Sequence, residues 1–369
     1  MRVIRSVQHW CRRTLSVQAC RSDNLHSIIC RQIRSAGPMS VAEYMKLAMH
    51  HPVYGYYKKS EVVGPGGDFI TSPEISQVFG ELLGVWIVNE WMNLNKNAPF
   101  DIVEFGPGSG ALIATILKTL CKFPTGSSLF RRLHLIERSD YLRQKQETVI
   151  YPLLKTLHLK PEVKWHSSID DVPRGCSTYY LAHEFLDALP VHRFQLAGDL
   201  SGKNCVEVCP EAGAIVQKLA ARIAADGGAA LVIDYGHCGE KGDTLRAFKN
   251  HQLHDPLRDP GEADITADVD FAFLHRSIEA TKEQVIVHGP VSQAYFLVHM
   301  GILMRVKALV EKAKCEEDKK SLIAATEMLI ASRHMGKRFK FMAICPGRGD
   351  REKQHIPAGF HPTWEGAET

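Results

Sequence analysis

Seven residues, Glu104-Phe105-Gly106-Pro107-Gly108-Ser109-Gly110, constrain the fold of this chain more than any other stretch. They continue a short apolar run, Ile102 to Phe105, that reads as a strand, and they precede Ala111 to Leu120, which reads as a helix. Glycine at alternate positions lets the backbone turn tightly and lets a ligand approach without a Cβ in the way. A loop that opens a helix also presents free N–H groups. The pattern predicts a strand–loop–helix unit with a ligand lying against the backbone.

The flanking chemistry narrows the ligand. The spacing is GxGxG, and the wider GxGxxG nest of a dinucleotide site is absent, as is the Gly-Lys-Ser/Thr of a phosphate-binding loop. Glu104, two residues before the first glycine, would repel a pyrophosphate and suit a cation. S-adenosylmethionine has no phosphate and carries an ammonium and a sulfonium, so it is the cofactor expected here. Glu137 closes the next strand, Leu133 to Ile136, where sheets of this kind place the acid that binds ribose hydroxyls. The candidate cofactor residues are therefore Glu104, Gly106, Gly108, Gly110 and Glu137. Gly67 and Asp68, in the glycine-rich loop before the helix capped at Thr71, are added as a flap over the cofactor; a simple lead-in to that helix is the alternative.

Further strands are expected at Val163–Trp165, Thr178–Ala182, Ala230–Asp234 and Phe339–Cys345. Helices are expected after Ser40 and Thr71 and at Ser292–Met300, Met304–Lys312 and Ser321–Ser332. Strands alternating with helices predict an α/β fold with a doubly wound, mostly parallel, Rossmann-like sheet. The expected organisation is an address segment at 1–36, an N-terminal helical and lid segment at 37–98, a sheet domain at 99–345 with C-terminal helical additions, and a disordered tail at 346–369.

The fourth strand runs into His183-Glu184-Phe185-Leu186-Asp187, over the cofactor cleft of such a sheet. Paired carboxylates at Glu184 and Asp187 suit a guanidinium acceptor, which is always charged and offers a fork of donors. His183 is a candidate proton acceptor. The structural alternatives are a capping acid, a solvated acid and a packed histidine.

Composition excludes several classes. The net charge of +4 is too small to indicate nucleic acid. No apolar run approaches the roughly 18 residues of a membrane span. The 10 cysteines are scattered, and the lone Cys205/Cys209 pair has no zinc-spaced partner, so neither disulfides nor a metal is expected. Residues 1–36 hold seven arginines, one acid, Asp23, and no lysine. That is the composition of a mitochondrial transit peptide, with cleavage expected between Arg34 and Gly37 and a basic tail as the alternative.

The ordered set Tyr54-Gly55-Tyr56-Tyr57, Gly67-Asp68-Phe69, Thr71-Ser72-Pro73-Glu74-Ile75-Ser76, the glycine loop, Glu184-Phe185, Asp187 to Val191, Asp234-Tyr235-Gly236 and Asp264 to Phe271 resembles the MidA-like methyltransferases over roughly residues 38–345. The resemblance implies a class I methyltransferase fold with acceptor-side additions. For the animal members it implies a mitochondrial matrix enzyme that dimethylates arginine, symmetrically, on a respiratory complex I subunit during assembly. The expected partner is that subunit, with a second copy of the chain as a further candidate. This chain departs from the family in two places. Many relatives carry Asn at the position of His183, and the connection from Gln195 to Cys205 is short, which bears on the acceptor site. Two other readings stay open: a cofactor-binding assembly chaperone and a nucleotide-dependent oxidoreductase.

Overall fold

The computed structural model describes residues 24–58, 71–95, 97–195, 205–347 and 355–361. Gly67, Asp68 and residues 1–23, and with them the flap and most of the expected address, lie outside these. The chain divides into two compact units. One takes in the described residues of Met1–Ile70, Phe185–Ala214 and His237–Leu274; the other takes in those of Thr71–Glu184, Ile215–Gly236 and His275–Thr369.

The second unit carries the sheet. Its strands are β1 (Phe100–Phe105), β2 (Phe130–Ile136), β3 (Glu162–His166), β4 (Ser177–His183), β5 (Gly228–His237), β6 (Val285–Ser292) and β7 (Phe339–Pro346), in the order β6-β7-β5-β4-β1-β2-β3. The first five run parallel, and β7 lies antiparallel between β5 and β6. Every residue of β1 and β4 is buried, as expected for a parallel sheet covered on both faces. The chain builds outward from β1 to β3 and then returns to place β4 on the other side of β1. The strand order thus reverses at β1, the place where sheets of this kind bind ligands beyond their carboxyl ends.

Two helices set the position of the glycine loop. Helix α1 (Gln77–Leu94) buries Val78, Phe79, Leu82, Leu83, Trp86, Ile87 and Trp91, and α2 (Ala111–Leu120) follows the loop. A Cβ on Gly80 or Gly84 would sit 2.8 Å from the Cβ of Thr115 or Thr119, so α1 and α2 approach too closely for a side chain at either glycine. That contact locks α2, and the loop at its start, against α1. No single described helix is long and apolar enough to cross a membrane.

Three segments can be placed against the expected boundaries. Within the expected address, Leu25–Ala36 is a helix that buries Leu25, Ile29, Cys30 and Ile33. Leu25, Ile29 and Ile33 pack with Tyr44, Met45, Tyr56 and Ile265 in the core of the first unit. Burial of Leu25, Ile29 and Ile33 stabilises the helix by about 1.5 to 3 kcal/mol for each side chain. Across the expected split at 98/99, α1 groups with the sheet unit, while 185–214 and 237–274 group with the other. Lastly, residues 355–361 of the expected disordered tail are packed. Glu90 of α1, fully buried, accepts from the Ala358 amide at 3.0 Å and contacts His355. Phe360 is buried with its ring 5.6 Å from Phe296. A buried carboxylate requires such partners. In the first unit, strands His192–Gln195 and Cys205–Val208 pair antiparallel with Gln195 opposite Cys205; residues 196–204 of the short connection lie outside the described residues.

Candidate active site

The glycine loop needs its glycines. Gly106, Gly108 and Gly110 have φ of +58°, +51° and +82°, a region that side chains with a Cβ rarely enter. The Gly106 amide donates to the Ile136 carbonyl at 3.0 Å, fixing the loop to the end of β2, and the Gly110 amide donates to the Pro107 carbonyl at 2.7 Å to close the turn. The Ser109 hydroxyl donates to Glu74 Oε1 at 3.2 Å, and the Thr71 amide donates to Glu74 Oε2 at 3.1 Å. Glu74 thus ties the Thr71–Glu74 turn to the loop.

Glu104, at the C-terminal end of β1, is buried, and its Oε2 has no hydrogen-bond partner among the described residues. Burial raises its pKa to about 8. An orphaned buried carboxylate beside a loop of left-handed glycines fits the ammonium end of S-adenosylmethionine, because the cation supplies the partner that the protein withholds. This fit has a pH signature. With its pKa raised, Glu104 is protonated at pH 7 in the free protein, and a bound ammonium favours the carboxylate. Cofactor binding at pH 7 is expected to release a proton, with affinity rising up to about tenfold per unit as pH approaches 8 and levelling above it. Calorimetry in buffers of different ionisation enthalpy measures that proton. Affinity that is flat from pH 6 to 8 would remove Glu104 from the site. The stability sign is the opposite: the neutral form's contribution to folding is complete below the ordinary glutamate pKa and is lost as pH rises through 8.

Glu137 closes β2. Its Oε1 accepts from the Ser139 amide at 2.8 Å, and its Oε2 lies 3.4 Å from Gln146 Nε2. Burial raises its pKa, and the bonds from Ser139 and Gln146 oppose that rise. Gln146, on helix α3 (Asp140–Thr156), escapes sequence reasoning. It is fully buried, donates to the Gly108 carbonyl at 2.9 Å and accepts from Trp165 Nε1 at 2.8 Å. The readable signal was a polar residue in the stripe Leu142, Gln146, Ile150, Leu154.

Of the expected acceptor-side residues, His183 and Glu184 stand at the end of β4 in the sheet unit. Glu184 has φ of +47°, a conformation that costs a glutamate about 1 to 2 kcal/mol and is maintained only by its surroundings. Its amide donates to the Ile233 carbonyl at 2.9 Å, and its Oε1 accepts from the Ser72 amide at 3.4 Å. His183 Nε2 lies 3.1 Å from the same oxygen without hydrogen-bond geometry, and the ring packs 5.2 Å from Phe79. Asp187 belongs to the other unit. Its Oδ2 accepts from the Thr266 hydroxyl at 2.7 Å and its carbonyl from the Ala267 amide at 3.1 Å. Those bonds fasten the Asp264–Asp270 segment, so the contacts observed for Asp187 are structural ones. Among the described residues no three His, Cys, Asp or Glu side chains converge as a metal-ligand set.

A family model described as putative S-adenosyl-L-methionine-dependent methyltransferase matches residues 82–203 and 195–291. The chain is 42% identical over 384 residues to the mitochondrial protein arginine methyltransferase NDUFAF7 of Danio rerio, covering 89% of each. It is 41% identical over 366 residues to the Homo sapiens protein of that name, covering 85% of this chain and 82% of that one. A Burkholderia thailandensis protein crystallised with S-adenosyl-homocysteine matches with a TM-score of 0.73 at 24% identity, covering 88% of this chain and 92% of that one, which is a likeness of fold.

Proposed function

Because the chain belongs to this family of S-adenosyl-L-methionine-dependent methyltransferases, we propose that it methylates arginine on a protein in the mitochondrial matrix. The observation that carries the cofactor half is the orphaned Glu104 carboxylate beside three left-handed glycines. When bound, S-adenosylmethionine supplies a methyl group on a sulfonium, an electrophile that needs no metal. Glu104 and the loop hold the aminoacyl end, and Glu137 accepts from the ribose.

On the acceptor side, Glu184 binds the guanidinium and faces its charge with a carboxylate held by the Ser72 amide. Orientation matters more than acidity here, since arginine keeps its proton in water. The carboxylate offsets the additional positive charge that arrives with the methyl group as the S–C bond breaks and the N–C bond forms; the proton is then lost, and His183, 3.1 Å from Glu184, is placed to take it. For the acceptor we propose a subunit of respiratory complex I, dimethylated symmetrically; the name of the relatives and the family resemblance support this.

The test is transfer from methyl-labelled S-adenosylmethionine to proteins of a mitochondrial extract, followed by mass spectrometry. Symmetric dimethylarginine on a complex I subunit is the expected product. Label on lysine alone, or on no protein, would refute the assignment.

A further inference from the structure

We propose that Gln146 is the positioning residue that sets how strongly this protein depends on its ligand's ribose hydroxyls, by holding the Glu137 carboxylate and the glycine loop at one spacing. The proposal rests on the methyltransferase reading and adds to it a residue outside the motifs that carry that reading.

The bond pattern leaves Gln146 one orientation. The Trp165 indole can only donate, so the group 2.8 Å from it is the amide oxygen. The amide nitrogen then faces two acceptors, the Gly108 carbonyl at 2.9 Å and Glu137 Oε2 at 3.4 Å. Both hydrogens and one oxygen of a fully buried amide are committed, and a flipped amide would set its oxygen against two acceptors.

The loop and Glu137 come from the ends of neighbouring strands, and backbone pairing alone does not fix a carboxylate's rotamer. The Ser139 amide holds one oxygen of Glu137. Gln146 contacts the other and so sets the plane of the carboxylate. A carboxylate in a fixed plane accepts from two vicinal hydroxyls at once, whereas one free to turn accepts from either in poorer geometry. The same amide ties that plane to Gly108, where the ligand meets the backbone. A ligand with a ribose at the right distance from its aminoacyl end is selected, and one lacking a hydroxyl is penalised.

The test compares S-adenosylhomocysteine with its 3′-deoxy analogue by calorimetry, in the wild-type chain and in Gln146→Met, which keeps length and shape while removing the amide. Wild type is expected to prefer the hydroxylated ligand by roughly tenfold or more, as a site built around a buried acceptor does. In Gln146→Met that preference should fall to about threefold or less. Trp165→Phe removes the donor that orients the amide and should shrink the preference in the same direction; it serves as the reading if Gln146→Met does not fold. Parallel weakening of both ligands with the preference intact would mean that Gln146 only supports the fold, and would overturn the proposal. A wild type that binds both ligands equally overturns it too, while leaving the methyltransferase reading standing. A wild type that binds neither overturns both.

Discussion

Glu184→Gln is expected to lower methyl transfer by about 100- to 1,000-fold while leaving cofactor affinity within several-fold of wild type. The substitution is isosteric, and the amide oxygen can still accept from Ser72, so the turn from β4 keeps its hydrogen bond. What disappears is one negative charge from the place proposed for the acceptor. A guanidinium that must shed charge as it is methylated loses its counter-ion, worth about 2.7 to 4 kcal/mol of barrier at these factors. Single-turnover transfer to the acceptor protein, together with calorimetry on S-adenosylhomocysteine, separates the two effects. Unchanged turnover would remove Glu184 from the acceptor site. If Glu184→Gln also restored complex assembly fully in cells while transfer was lost, the chaperone reading would replace the catalytic one.

Gly108→Val should cost at least about 100-fold in cofactor affinity and lower the melting temperature by several degrees. Two causes combine. With φ at +51°, Gly108 occupies the left-handed region, where a β-branched residue is strained by about 1 to 2 kcal/mol or more. The backbone cannot easily escape that strain, because the Gly108 carbonyl is held by Gln146. In addition, the valine side chain would occupy the space through which the ligand approaches the loop. Gly108→Ala keeps the strain and adds less bulk, so its loss of affinity should be smaller. A melt and a titration on each variant measure both terms. Undiminished affinity in Gly108→Val would refute the loop as the cofactor site.

Glu104 was readable as a ligand-facing acid because it stands next to the glycines, but its protonation was not. The raised pKa needs burial in the middle of the sheet, between β2 and β4, and strand order is a tertiary fact. Asp187 shows the converse. Three residues after Glu184, it reads as that residue's partner in the sequence. In the fold its carboxylate is bonded to Thr266, 79 positions away, because two compact units take alternate stretches of the chain.

The strand, the glycine turn and the helix after it were determined by the sequence alone, as were the end of β2 at Glu137 and the expectation of a parallel α/β sheet. Each depends on local quantities: the chirality that reserves positive φ for glycine, the apolar period of a strand or helix, and the cap that starts a helix. Only the tertiary structure decided that Leu25–Ala36 belongs to a core, that the 355–361 segment packs on Glu90, and that Gln146 joins the loop to Glu137. Those outcomes depend on burial and on hydrogen-bond partners far away in the chain. A basic helix, a polar tail and a glutamine in an apolar stripe look the same in sequence whether or not such partners exist.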